Sequence, residues 1–131
     1  MELLLDTNVL LRAAGATSRL NRECLRLLAD RSNSLFLSAA SIWEVVIKHS
    51  LGRLELPDSP SRWLPDRIRI LGVQTLDVTP AHALALADLP STHGDPFDRM
   101  LIAQANAEQL TLLTTDRIFQ SYPVQVVLCG T

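Results

Sequence analysis

Two apolar runs in this sequence end alike. Leu3-Leu4-Leu5 runs into Asp6, with Thr7-Asn8 behind it, and Leu110-Thr111-Leu112-Leu113-Thr114-Thr115 runs into Asp116. Short apolar runs bounded by polar residues read as buried strands of a parallel sheet. Ligands of open α/β sheets sit in the crevice beyond the carboxyl ends of such strands. Carboxylates at 6 and 116, from distant parts of the sequence, would converge there. Each could instead cap the helix that follows, because aspartate is a favoured N-cap. Its occurrence at two strand ends favours a shared site.

Two further acids belong in the same argument. Glu44 lies in Ser-Ala-Ala-Ser-Ile-Trp-Glu among apolar neighbours. Ser41-x-x-Glu44 also has the form of a capping box, and Lys48, one turn on, is placed for an i,i+4 ion pair. Asp95-Pro96-Phe97-Asp98-Arg99 is the densest cluster. Aspartate at the N-cap, proline at N1 and an acid at N3 are ordinary helix-start grammar. Asp98 could equally project from the first turn into the crevice.

If Asp6, Glu44, Asp98 and Asp116 meet, they cannot all stay ionised unless a cation compensates them. Oxygen-only ligands suit Mg²⁺ or Mn²⁺, and no His or Cys is spaced for zinc. An acidic site of this kind serves phosphate chemistry. His49, His82 and His93 are scattered, with no serine or cysteine motif beside them, and read as surface or packing residues. Neither GxxxxGK[ST] nor GxGxxG occurs, so nucleotide-cradling loops lack support.

The elements that must position these acids alternate between strand and helix. Strands are expected over about 2–6, 34–38, 74–78, 111–114 and 124–128. Helices are expected over 9–14, about 18–31, from 41 to near Gly52, after Ser59-Pro60, from Thr79-Pro80 through Leu89, and from Asp95-Pro96 to about 108. A helical turn covers 117–121, and residues 53–59 and 90–94 read as irregular. Leu20, Cys24, Leu27 and Leu28 form a one-face stripe. Pro65 leaves the first turn of its helix uncertain. This alternation indicates an α/β sandwich around a parallel sheet.

The bulk numbers agree. The 131 residues suit one domain, and 47% hydrophobic residues with a mean hydropathy of +0.17 is high for that size. Either the sheet is covered on both faces or apolar surface is kept for a partner. Trp43, Trp63, Ile47 and Leu51 are candidates for such a surface. Fourteen acids against 12 bases give no general basic field. Cys24 and Cys129 match no metal-ligand spacing and read as buried thiols of a reducing cytosol. No signal peptide or membrane span is expected, so the chain is read as cytoplasmic.

Together the segments L-L-D-T-N, L-S-A-A-S-I-W-E-V-V-I-K with G-R-L-E-L-P, L-P-S-T-H-G-D-P-F-D-R-M-L-I-A-Q-A and L-L-T-T-D-R-I-F-Q-S-Y resemble the PIN-domain ribonucleases, specifically the VapC-type toxins of toxin–antitoxin pairs. The resemblance spans essentially the whole sequence. It implies a PIN-like three-layer α/β/α sandwich with a five-stranded parallel sheet. It implies a metal site built by Asp6, Glu44, Asp98 and Asp116, supported by Asn8 and Thr114, with Asp95 the less certain acid. The activity implied is Mg²⁺- or Mn²⁺-dependent hydrolysis of RNA, leaving 5′-phosphate and 3′-hydroxyl ends. Arg12, Lys48, Arg53 and Arg99 are candidates for contacts to the RNA backbone. A cognate antitoxin and a homodimer are the expected partners. One alternative is a phosphohydrolase of the haloacid dehalogenase type, which also opens on L-L-L-D but needs an aspartate where this chain has Asn8. The other is an inactive RNA- or partner-binding module, which the presence of all four acids disfavours.

Overall fold

A computed structural model describes residues 1–15, 17–90 and 94–130. Its centre is β1 (Glu2–Leu5), whose three leucines are fully buried. Leu3 and Leu5 point to one face and Leu4 to the other, the two-residue alternation of a strand covered on both sides. Full burial of each leucine stabilises the fold by about 1.5–3 kcal/mol. The other strands are β2 (Ser34–Ser38), β3 (Val73–Leu76), β4 (Thr111–Thr114) and β5 (Val126–Leu128). All pair in parallel in the order β3-β2-β1-β4-β5. The fold is therefore the expected α/β sandwich with a five-stranded parallel sheet.

Helices α1 (Thr7–Gly15), α2 (Arg22–Ala29), α3 (Ala39–Ser50) and α4 (Pro60–Ile70) cover one face, with Val9, Leu10, Cys24, Leu27, Val45 and Leu64 in its core. On the other face, α6 (Pro96–Ala107) contributes Leu101, Ile102 and Ala105, and the 3₁₀ turn 117–121 contributes Phe119. Helix α5 (Pro80–Ala85) packs on α6. Its buried His82 closes a reciprocal cap: Thr79 Oγ1 accepts the His82 N–H at 3.2 Å, and His82 Nδ1 accepts the Thr79 N–H at 3.1 Å. Among the described residues no helix is long and apolar enough to cross a membrane.

Several boundaries differ from the sequence reading, for local reasons. Helix α1 starts at Thr7 because the Asp6 carbonyl accepts the Val9 and Leu10 N–H groups at 3.0 and 3.1 Å. Helix α2 is shorter than expected, because Asn21 caps it and a 3₁₀ turn occupies 17–19. Helix α4 runs through Pro65, held by buried Leu64 and by Trp63 and Ile68 against the core. Strand β3 sits slightly earlier than expected, in register with Leu35–Ser38 of β2. Helix α5 stops at Ala85 and continues as a 3₁₀ turn over 86–88, and β5 starts at Val126. Of the expected loop 90–94, residues 91–93, including His93, lie outside the described residues.

The expected Ser41–Glu44 capping box is corrected. Helix α3 begins two residues earlier, with Ser38 as its cap, Ser38 Oγ accepting the Ala40 N–H at 3.0 Å. Ser38 is also the last residue of β2, so its extended backbone leads straight into the cap geometry. Ser41 is consequently inside the helix, buried, with no partner for its hydroxyl among the described residues.

Candidate active site

The strand order fixes where a site can form. The chain runs outward from β1 through β2 to β3, then returns to place β4 on the other flank of β1. The β1/β4 junction is thus the switch point of the sheet, and a crevice opens beyond its carboxyl ends. Leu5 pairs with Leu113, so Asp6 comes opposite Thr114. The Asp6 N–H donates to the Leu113 carbonyl at 2.8 Å, extending the ladder by one bond into the crevice.

Asp6 is only 6% exposed, and both of its carboxylate oxygens are held. Thr114 Oγ1 donates to Oδ2 at 2.7 Å, and the Thr7 N–H donates to Oδ1 at 2.8 Å. Burial nevertheless lifts its pKa from 3.8 to about 6. The Thr114 hydroxyl opposes that rise, the Asp98 charge adds to it, and the Thr7 N–H and the Glu44 charge act more weakly in opposite senses.

Glu44, from α3, is also buried. Its Oε1 accepts the Thr7 hydroxyl at 2.6 Å and its Oε2 accepts Lys48 Nζ at 2.6 Å. The i,i+4 pair that the sequence offered is therefore formed, on a carboxylate that also faces the crevice. The Lys48 ammonium is held above its ordinary value, first by the hydrogen bond to Glu44 and further by the Glu44, Asp95 and Asp98 charges.

At the start of α6, Asp95 Oδ1 accepts the Phe97 and Asp98 N–H groups at 2.9 and 3.3 Å, making Asp95 the N-cap. Asp98, one turn in, is half-buried, and its charge acts on both Asp6 and Lys48. Three of the four expected acids thus share one electrostatic environment: Asp6, Glu44 and Asp98. Asp116 is placed differently. It is exposed, and its Oδ1 caps the 3₁₀ turn by accepting the Ile118 N–H at 3.0 Å. It joins the others through its backbone, whose N–H donates to Thr114 Oγ1 at 3.0 Å. One hydroxyl therefore links Asp6 to the Asp116 turn.

The supporting residues are distributed unevenly. Thr114 stands where the sequence placed it, whereas Asn8 is exposed on the first turn of α1. Thr7, its neighbour, is the residue that bridges Asp6 and Glu44, and the sequence reading did not single it out. The signal was a small hydroxyl directly after a strand-end aspartate. Among the four candidate cations, Lys48 is paired with Glu44. Arg99 binds the Pro90 and Leu86 carbonyls at 2.5 and 3.4 Å and the Tyr122 hydroxyl at 3.4 Å. Arg12 reaches the Arg19 carbonyl at 3.2 Å, and Arg53 is exposed.

Beside the acids lies an apolar cleft of about 380 Å³ between α3 and the start of α6. Trp43 and Phe97, the residues immediately before Glu44 and Asp98, meet edge-to-face across it with ring centroids 5.2 Å apart. Trp43 is 62% exposed, and Val46 and Leu51 are exposed too. Ile47 is half-buried, while Trp63 packs against the core. Only part of the expected apolar surface is therefore open.

The residues suit a hard divalent cation in their donor chemistry, because every candidate ligand offers oxygen and their like charges need compensation. The raised Asp6 pKa comes first from burial, with smaller contributions from the Asp98 and Glu44 charges. The side chains are not drawn together around one point: among the described residues, no three Asp, Glu, His or Cys side chains form a group that could hold one ion. Lys48 and Thr7 occupy Glu44, and the turn occupies Asp116.

A parallel sheet with this switch point and acidic crevice is the architecture of a PIN domain, and the PIN domain family profile matches residues 3–125. The chain belongs to that family. The phosphohydrolase alternative is thereby set aside. Among curated proteins, the chain is 28% identical over 120 residues to Ribonuclease VapC22 of Mycobacterium tuberculosis, covering 91% of this chain and 90% of that protein. It is 42% identical to Ribonuclease VapC16 of the same organism over 60 residues, a match that spans only 46% of this chain and 43% of that protein's length. Among solved structures, it superposes on a chain of VapBC2 from Rickettsia felis bound to a promoter DNA fragment. There the TM-score is 0.77 at 18% identity, covering 99% of this chain and all of that one. A chain of FitAcB from Neisseria gonorrhoeae gives a TM-score of 0.63 at 22% identity, with 95% of each chain covered. At such identities these structures bear on the fold.

Proposed function

We propose that this protein is a metal-dependent endoribonuclease, the toxin of a toxin–antitoxin pair. The observation that carries the reading is the buried Asp6, clamped by Thr114 and Thr7 at the switch point, on which the Asp98 and Glu44 charges converge. Support also comes from family membership and from two relatives named as ribonucleases. In this reading Asp6, Glu44, Asp98 and Asp116 would hold Mg²⁺ or Mn²⁺, which would supply charge compensation at the scissile phosphate and activate a water.

The protein's own residues prepare that chemistry. Thr114 and Thr7 orient Asp6 and keep its oxygens directed into the crevice. Thr7 and Lys48 hold the Glu44 carboxylate in place at the crevice. Asp95 fixes the first turn of α6 and so aims Asp98. Arg53 and Lys48, both exposed, are the candidate cations for a phosphate backbone. The exposed Trp43, Val46 and Leu51 support a protein partner, read as the cognate antitoxin, with homodimerisation as the second assembly.

The test is cleavage of single-stranded RNA by purified, partner-free protein. Cleavage should require Mg²⁺ or Mn²⁺, cease in EDTA and be lost in Asp98→Asn. Full activity in EDTA by protein shown to be metal-free would refute the metal-dependent reading. Inactivity with either ion across RNAs of varied sequence would refute the nuclease reading.

A further inference from the structure

The apolar cleft beside the acids has no part in the metal chemistry. The sequence carries three phenylalanines, two tryptophans and one tyrosine. Phe119 and Tyr122 belong to the core under α6, Phe36 packs against that core, and Trp63 packs against the core under α1–α4. The two aromatic residues that join neither core are Trp43 and Phe97, and both line this cleft. They are not scattered surface residues: their rings meet edge-to-face at 5.2 Å, and Trp43 is still 62% exposed. Val78, Leu86, Pro96 and Met100 continue a lining whose side chains are all apolar. The volume of about 380 Å³ falls within the roughly 300–1,000 Å³ of small-ligand clefts.

The position of the rings relative to the acids selects the ligand. Trp43 directly precedes Glu44 on α3 and Phe97 directly precedes Asp98 on α6, so in each pair the Cα atoms are about 3.8 Å apart. The Asp95 cap that aims Asp98 also fixes Phe97, whose N–H donates to Asp95 Oδ1 at 2.9 Å. A ligand spanning both features needs a phosphate for the acid crevice and a flat apolar group a short step away. One nucleotide unit carries both. We infer that the cleft is a base subsite, in which an unpaired nucleobase next to the scissile phosphate stacks on the Trp43 indole. The inference rests on the nuclease reading and narrows its substrate to RNA unpaired at the cut, because a base stacked within a duplex has no free face to offer. Every base has a π-face, and a lining without polar side chains reads no hydrogen-bond pattern. The subsite therefore selects an unpaired nucleotide rather than one base. Val46 and Leu51 stand outside the lining and remain open to a protein partner.

The experiment measures kcat/KM, with Mn²⁺, on a single-stranded RNA whose cut site has been mapped with the parent protein. Two further RNAs carry one abasic nucleotide each, on either side of the cut phosphate. One of them should lose about tenfold, the usual scale of a single base–aromatic stack. Trp43→Ala should lose a similar factor on the intact RNA and nothing further on that abasic RNA, because both changes delete one contact. Trp43→Phe keeps a ring and should recover most of the activity. Exchanging the base among the four should matter less than removing it. Trp43 is exposed, so Trp43→Ala should melt as cooperatively as the parent. A Trp43→Ala protein that cuts the intact RNA as well as the parent does would overturn the base subsite and leave the cleft to a protein partner. Equal losses on the intact and both abasic RNAs would overturn it too, since Trp43 would then act without the base. Failure of the parent to cut any RNA would instead refute the nuclease reading, and this subsite with it.

Discussion

Thr114 Oγ1 donates to Asp6 Oδ2 at 2.7 Å, joining residues 108 positions apart, and the same oxygen accepts the Asp116 N–H at 3.0 Å. A buried hydroxyl in this position opposes the desolvation of Asp6 while holding the turn that presents Asp116. Thr114→Val keeps the shape and removes both roles. Stability should fall by about 1–3 kcal/mol, the usual penalty for a buried polar group left without its partner. RNA cleavage should fall by at least about tenfold if one charge-directed contact is lost at the reacting centre, whereas Thr114→Ser should retain most of both. Denaturant melts and single-turnover cleavage of the three proteins check this.

The Asp6 pKa carries a pH signature. With a value raised from 3.8 to about 6, the folded protein binds this proton more tightly than the unfolded chain does. The contribution to stability is complete below about pH 4 and is lost as the pH rises through 6. At about 1.4 kcal/mol per pH unit, its total is on the order of 3 kcal/mol. In EDTA, Asp6→Asn should therefore gain stability relative to the parent across that window and keep a constant advantage above it. A difference that does not change with pH would contradict the assignment.

Two aspartates three residues apart should behave in opposite ways. Asp95 accepts two N–H groups at the start of α6, so Asp95→Ala should cost about 0.5–2 kcal/mol and leave measurable cleavage. Asp98→Asn removes one charge from the environment of Asp6, so the metal-free protein should be unchanged or slightly more stable. Its cleavage should fall by orders of magnitude. Melting without metal and activity with it separate the two roles. They are swapped if Asp98→Asn stays active while Asp95→Ala is inactive without loss of stability.

Ser41 offers a test of the corrected helix start. Its buried hydroxyl has no partner among the described residues, so Ser41→Ala should be neutral or should stabilise by on the order of 1 kcal/mol. Ser38→Ala, which removes the true cap of α3, should destabilise by about 0.5–2 kcal/mol. Chemical denaturation of both variants decides which serine starts the helix.

The strand–helix alternation was legible because each buried run carries its own period and each helix its own punctuation. Ser34–Ser38 and Thr111–Thr114 match the expected strands residue for residue. Asp6, Glu44 and Asp98 each had an ordinary local reading, as a cap, a capping-box acid and an N3 acid, and only their recurrence at strand ends and helix starts pointed to a shared crevice. What failed was competition between nearby signals of the same chemistry. Ser38 and Ser41 both offer a hydroxyl near a helix start, and only the end of β2 decides between them. Thr7 and Asn8 both follow Asp6, and only the approach of α3 selects Thr7 to meet Glu44. Asp116 was the hardest to place, because its cap of the 3₁₀ turn and a place in the crevice ask for different orientations of one side chain. Trp43 and Trp63 were indistinguishable by type, yet one stands at the cleft and the other lines the core.

The position of β1 has a consequence for how this protein is made. The strand comes earliest in the sequence yet sits in the middle of the sheet, with β2 on one side and β4 on the other. Its pairing with residues 111–113 cannot form until those residues have left the ribosome. Until then one edge of three consecutive leucines stays open, a state suited to chaperone capture. Asp6 is synthesised 108 residues before Thr114 and acquires that partner only with β4. A chain that stalls before Thr114 therefore lacks the hydroxyl that clamps Asp6, and the crevice is completed only with closure of the sheet.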